Sequence, residues 1–421
     1  MLVPVQGGRM EIRMKTDLSF IKKTGISADV KPIGLGKNKR KLTKRSDRMP
    51  VLLKNPYNTI KSIYNGDTVY RKDFYLNYKY SFNYKTGLYK RSDYLDEMGM
   101  ETGKDVFAAN FPHLIDVGIM GHCTHGRSGL CVKTGVQCYQ NGLSVNKPNM
   151  TIENFKRIAE ECNGLTNQFA LGGRGDPNEH EDFEKILQIS RENSIIPNYT
   201  TSGFNLTDKQ IALSKKYCGA VAISWYRSPY TISSIKRLIE SDIKTNIHFV
   251  LNNDTIDEAI YLLENDKFPD GINAVIFLTH KPVGLGKKEK CIKYDDERVQ
   301  KIYSLIKNKK YRFKIGVDGC FVVGMLVSDK DFNMKYLDTC EAARFTCYID
   351  SQMHMKPCSF DVENKYAIDI NNTSIIDAWN SPEFVKIRET LLKGCPNCDK
   401  NEICHGGCFL HKDIVLCPNK I

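Results

Sequence analysis

No apolar run in this 421-residue chain approaches membrane-spanning length; Ala274–Leu278 is typical of the longest. The first residues, MLVPVQGGRMEIRMK, lack the charged stretch followed by an apolar one that marks a secretory signal. Together these absences lead to the expectation of a cytoplasmic protein without a membrane partner. Acidic residues are outnumbered, 49 against 61 Lys and Arg, for a formal net charge of +12. Such a balance suits an anionic partner without identifying it. Part of the excess is one block, Lys37–Arg48, with seven basic residues and one Asp. A solvated arm is the preferred reading of that block, and a nucleic-acid partner is not expected.

Cysteine, by contrast, is plentiful. In a reducing compartment, fifteen cysteines point to metal or redox chemistry rather than to disulfides. Eleven fall into two groups, three at 123–138 and eight at 340–417. Cys162, Cys218, Cys291 and Cys320 are scattered, and the first two, near the ends of apparent helices, read as buried small hydrophobes.

Three regions follow from the patterning. Residues 1–105 contain the basic block and an alternating stretch, Leu76–Tyr84, with Leu76, Tyr78, Tyr80, Phe82 and Tyr84 on one face. That is the period of a half-buried strand, expected to pack on a neighbour rather than to stack on bases or add a peptide strand. From about 106 to 310, six apolar runs alternate with helix-length segments: Leu114–Met120, Gln168–Gly172, Ile195–Thr200, Ala220–Trp225, Asn246–Leu251 and Ala274–Leu278. Helix starts are expected at Thr151 with Asn154, Thr207 with Asp208 and Thr255 with Asp257. The alternation predicts an α/β fold with a partial (β/α)6 TIM-type barrel, its site at the strand C-termini. Residues 311–421 form a small cysteine-rich region.

The first strand ends in Cys123–Gly142, with Cys123, Cys131 and Cys138 in a C-x7-C-x6-C spacing. Three thiolates there can hold three irons of a [4Fe–4S] cluster and leave the fourth open. The second strand runs into Gly172–Pro177 (GGRGDP), where Gly172 and Gly173 let backbone approach a ligand. The third ends at Thr200–Gly203, including Ser202, and the fourth brings Ser224 and Arg227 to its end. Ser224 suits a ribose hydroxyl and Arg227 a carboxylate. Lys281–Lys290, after the sixth strand, reads equally as a substrate entrance or a solvated basic loop.

With its cysteine loop, its GG motif and its polar rim in that order, the chain resembles the radical S-adenosylmethionine (SAM) enzymes. The resemblance implies that SAM chelates the open iron and is cleaved reductively to a 5′-deoxyadenosyl radical. SAM contacts would come from Gly172, Gly173, Asp176, Ser202, Ser224 and Arg227. The chain departs from the family's usual C-x3-C-x2-C. Gln137 stands where an aromatic precedes the third cysteine, with Tyr139 on the other side. Arg174 occupies the usual acidic place, leaving Asp176 to reach the SAM amino group. His122 and His125 flank the loop, each either a ligand or, as the preferred reading, in a supporting or surface role.

Downstream, Cys395-x2-Cys398-x5-Cys404-x3-Cys408 followed by Cys417 resembles the SPASM pattern, with Cys340, Cys347 and Cys358 upstream. The resemblance implies two auxiliary [4Fe–4S] clusters: one on Cys340, Cys347, Cys358 and Cys408, the other on Cys395, Cys398, Cys404 and Cys417. Gly406 and Gly407 would let the chain wrap tightly there. Met353 stands where the family has glycine, and Ser359 where sulfatase-maturing relatives have a catalytic Asp. The implied activity is modification of a peptide or protein, with an acidic leader suiting the basic chain, and a flavodoxin or ferredoxin as electron donor. Two alternatives stand beside it: a small-molecule radical dehydrogenase, and a zinc-dependent nucleic-acid-binding protein built on the C-x2-C pairs.

Overall fold

In the computed structural model, the described residues are 3–5, 56–135, 137–328, 332–333 and 336–418. The basic block Lys37–Arg48 lies outside them. A short strand β1 (Val3–Val5) precedes an antiparallel meander of β2 (Ile60–Asn65), β3 (Thr68–Asp73), β4 (Tyr78–Asn83) and β5 (Tyr89–Arg91). Strand β4 carries the alternation read from the sequence: Tyr78, Tyr80 and Phe82 are buried and the residues between them half-exposed. Their partners explain why. Tyr78 and Tyr89 bond the two ring nitrogens of His113, at 3.1 and 2.7 Å. Phe82 packs with Ile196, Arg71 reaches the Asn167 side chain, and Lys244 Nζ donates to the Lys85 carbonyl. All four partners stand at or just before strand N-termini of the barrel. The aromatic strand is therefore a plug under the barrel floor, and each fully buried ring contributes roughly 1.5–3 kcal/mol.

The barrel strands follow at the expected places: β6 (Leu114–Met120), β7 (Gln168–Gly173), β8 (Ile196–Thr201), β9 (Val221–Ser224), β10 (Thr245–Leu251) and β11 (Ala274–Thr279). All pair in parallel, in sequence order. Outward residues such as Ile115, Val117, Phe169 and Leu171 are buried against the helices, while Asp116, Ala170 and Asn198 share one inward layer. The sheet is larger than six strands. Strand β12 (Lys314–Val317) continues it in parallel beyond β11, and β1 pairs antiparallel with β12. On the other side, β13 (Thr346–Ile349) pairs in parallel with β6 and is followed by β14 (His354–Lys356) and β15 (Ile368–Asp369). The cysteine-rich region thus supplies strands to the barrel sheet. Gly118 is required by this arrangement, because a Cβ there would lie 2.2 Å from the Tyr348 hydroxyl.

Helix starts agree in part. Thr151 caps Ile152–Cys162 through Asn154, whereas Thr207 forms a capping box with Gln210 rather than Asp208. Thr255 makes no side-chain cap; its hydroxyl is spent on the Val250 carbonyl at 2.7 Å. The helix after β9 starts at Pro229, capped by Ser228. No described helix is long and apolar enough to cross a membrane.

Candidate functional site

The Cys123–Gly142 loop leaves the C-terminal end of β6 and is held by backbone contacts that only glycine permits. The Cys123 Sγ accepts the Gly126 amide at 3.0 Å and caps the four-residue helix Thr124–Arg127. Cys131 sits on the next short helix, Leu130–Lys133. A Cβ on Gly126 would fall 2.4 Å from the Gly142 carbonyl, and one on Gly142 would press against the Cys123 Cβ at 3.0 Å. The loop therefore doubles back on itself and brings the three cysteines into one neighbourhood. Burial, then the charges of Asp176, Cys138 and Cys131, push the Cys123 thiol up to about 12. Burial raises the Cys131 thiol as well, and buried thiols in one loop are donors that a cationic iron cluster would suit.

Arg174 has a structural task that explains its place. Its Nε donates to the Gln140 carbonyl at 2.8 Å and its Nη1 to the Gly121 carbonyl at 3.2 Å, stapling the two ends of the loop. Gln137 likewise accepts the Lys287 amide at 2.9 Å, while the Leu285 amide reaches the Cys138 carbonyl, also at 2.9 Å. The Lys281–Lys290 segment is thus packed on the third cysteine, neither an open entrance nor a free loop.

The candidate SAM residues divide. Gly172 faces the lumen with nothing within 4 Å of a Cβ, leaving room for a ligand, and Gly173 takes φ +111° beneath Met120. Asp176 and Ser202 are engaged with each other: the Asp176 carboxylate accepts both the Ser202 amide, at 2.8 Å, and its hydroxyl. Burial, opposed by these bonds, still raises Asp176 to about 6. Ser224 lies on the lumen side, level with His248. Arg227 is not brought to the site. Its guanidinium pairs with Glu258 of the helix Ile256–Glu264 and with the Trp225 carbonyl, and its charge lies over the outward-facing Phe249 ring.

Sequence reasoning missed an aromatic wall beside the loop. His125, Phe204, Tyr226 and Tyr230 pack ring to ring, with 2.6 Å between His125 Nε2 and the Tyr230 hydroxyl. Burial lowers His125 to about 4, so it is a neutral packing partner, in keeping with a supporting role. Tyr226 is half-buried near Asp176, Cys138 and Cys131. Tyr139 crosses the lumen, its ring 4.7 Å from Phe360 and its phenol near Asp116 and Ser359.

Of the eight downstream cysteines, four line one cavity, three lie close together beside Cys320, and one is buried in the apolar core. Cys395, Cys398, Cys404 and Cys417 line a single cavity of about 250 Å³, together with Val323, Gly406 and Val415. His405, Gly406 and Gly407 all have φ between 55° and 80°, the tight wrap that the two glycines predict. Met353 also takes the left-handed region, φ 63°, which is the physical reason a glycine would serve there.

The other group needs correction. Cys347, on β13, is paired with Ile115, 2 % exposed in the apolar core, and its thiol neighbours are Cys162 and Arg388. It faces the helix layer, away from Cys340, Cys358 and Cys408. Cys320, set aside as scattered, lies beside them instead: it interacts directly with the Cys408 thiol, and Cys340 and Cys358 both lie near it. The signal available in the sequence was its position just beyond β12, at another strand C-terminus. Cys162 is buried as expected, and Cys218 packs against the core.

Among the described residues, no three His, Cys, Asp or Glu side chains converge closely enough to hold a single metal ion. Tetrahedral zinc draws four ligands onto one ion. A four-iron cluster instead meets each thiolate at a separate iron, which suits cysteines spread around a cavity.

No family model and no curated protein matches the chain. Solved structures do. SuiB from Streptococcus suis, bound to S-adenosylmethionine, aligns with a TM-score of 0.56 at 17% identity, over 71% of this chain and 73% of that one. SuiB bound to the precursor peptide SuiA aligns with the same score and identity over 72% and 73%. The anSMEcpe structure with bound AdoMet and Cp18Cys peptide aligns at 0.50 and 16%, over 72% of this chain and 90% of that one. The chain shares their fold, the partial barrel of the radical SAM enzymes, as the sequence resemblance implied.

Proposed function

We propose that this chain is a radical SAM enzyme that modifies a peptide or protein. When bound, a [4Fe–4S] cluster and SAM would supply the 5′-deoxyadenosyl radical that abstracts a hydrogen atom from the substrate. The observation that carries this reading is that Cys123, Cys131 and Cys138 lie in one neighbourhood at the C-terminal end of β6, on the rim of a parallel barrel. Gly172 leaves open space beside them, and Ser224 and Tyr226 border it. Arg174 and the Lys281–Lys290 segment hold the loop rigid, while Tyr139, Tyr348 and the floor plug close the lumen to water from below.

Two auxiliary clusters are part of the proposal. Cys395, Cys398, Cys404 and Cys417 would hold the outer one. Cys320, Cys340, Cys358 and Cys408 would hold the inner one, with the His411 amide 3.3 Å from the Cys408 sulfur. A peptide substrate is favoured because the SuiB and anSMEcpe structures include peptide complexes. The basic chain suits an acidic leader, and a flavodoxin or ferredoxin suits the need for a one-electron donor.

Anaerobically reconstituted protein should bind about twelve irons, four per cluster, and release 5′-deoxyadenosine from SAM when reduced. Cys123→Ala, Cys131→Ala and Cys138→Ala should each abolish that release. Retained SAM cleavage in all three variants would sink the assignment. Mass spectrometry of co-expressed candidate peptides tests the substrate class.

A further inference from the structure

Lys281 is an anomaly. It follows β11 at the barrel rim, is only 4 % exposed, and opens the segment that packs on the third loop cysteine without itself bonding to that loop. Burying an ammonium is costly, and a lysine is kept in such a place by specific partners. Its Nζ donates to Asp318 Oδ2 at 2.8 Å and to the Thr279 carbonyl at 2.6 Å. The Phe360 ring covers it, 4.7 Å from the charge, and Phe360 lies two residues after Cys358.

The ion pair is lopsided. Asp318 is already committed to the barrel: it accepts the Thr279 amide at 3.0 Å, the Thr279 hydroxyl at 2.8 Å and the Phe321 amide at 3.0 Å. The Lys281 charge bears on Cys320, Cys358 and Cys408, and Asp318 opposes it at Cys320. Three of the four inner cysteines therefore lie near one buried cation. The outer group has no such feature among its cavity-lining residues, where Lys400 is half-exposed and Lys412 is likewise reached by solvent.

A site that gains an electron gains negative charge, and a fixed cation nearby stabilises that state more than the oxidised one, the more so where water is excluded. Resting on the proposed inner cluster, we infer that Lys281 is a positioning residue that raises the potential at which the Cys320, Cys340, Cys358 and Cys408 site accepts an electron. The geometry makes the inner site the stronger electron acceptor in the chain's interior, with Lys281 as the cause.

The test is a redox titration of the full-length, anaerobically reconstituted protein, reduced with dithionite and followed by electron paramagnetic resonance. Wild type is compared with Lys281→Met and Asp318→Asn, each with its iron content measured. Lys281→Met should keep its iron and move one cluster's midpoint to a more negative potential. Asp318→Asn, which keeps the cation and removes its counter-charge, should move the same signal the opposite way. Unchanged midpoints in both variants overturn the inference, as do shifts in the same direction. Should Lys281→Met lose iron, an unshifted Asp318→Asn overturns it and a positive shift supports it. A wild-type protein that binds no iron would instead defeat the cluster reading beneath it.

Discussion

The two groups of four cysteines in the C-terminal region are made in different ways. The outer group is local. Cys395, Cys398, Cys404 and Cys417 come from 23 consecutive residues, bent by left-handed backbone at 405–407 around a cavity that opens to solvent. The inner group is tertiary. Cys320 opens the helix Gly319–Ser328 after β12, Cys340 precedes β13, Cys358 follows β14, and Cys408 arrives from the outer segment. The first group is set by local spacing. The second depends on where strands end, which spacing alone does not show.

That contrast also marks what the sequence could and could not tell. Six barrel strands were legible because buried parallel strands read as apolar runs, and Tyr78, Tyr80 and Phe82 were legible because alternation survives in a half-buried sheet. Cys347 was taken for a ligand because it is a cysteine in the right interval. Its alternate position on β13 instead turns it to the helix layer, a fact set by pairing with β6. Arg227 failed for a similar reason: Glu258 lies 31 residues away in sequence, and nothing local announces the pair. Arg174 was noticed as a departure, but its task of joining Gln140 to Gly121 exists only once the loop has doubled back.

The largest expected effect breaks or sustains the membership of the inner group. Cys320→Ala should lose about four of about twelve irons, whereas Cys347→Ala should keep them all. Cys347→Ala should instead cost stability on the order of 1–2 kcal/mol, as a small core truncation does, read by denaturant unfolding. Iron loss confined to Cys347→Ala would restore the assignment read from spacing and reverse the comparison.

A smaller effect tests the local origin of the outer group. Gly406 has φ +80°, and a Cβ there would come 3.2 Å from the Gly394 Cα. Gly406→Ala should cost about 1–2 kcal/mol in that left-handed conformation. Its iron should be released faster to a chelator than that of wild type, and the loss should stop after one cluster's share. Loss of the inner share as well would mean that the two groups are not separable units, since both draw on the segment ending at Cys408.

The smallest effect concerns the metal-free protein, where burial alone distinguishes the groups. Burial, with the nearby Cys320 thiol adding to it, raises Cys340 to about 12, while Cys404 is raised by burial to about 11. Both values lie above the roughly 8.5 of a free thiol, so the folded chain holds protons that the unfolded chain releases. Stability conferred by these groups is therefore intact below about pH 8.5 and falls as the pH rises toward their folded values. At a fixed pH of about 9, both thiols stay mostly protonated, Cys340 the more so. Because the thiolate is the nucleophile, iodoacetamide should label Cys404 faster than Cys340 in the folded apoprotein, and peptide mass mapping would read the ratio. Equal rates would show that the inner group opens as freely as the outer one, and that its enclosure beneath the barrel rim does not persist without metal.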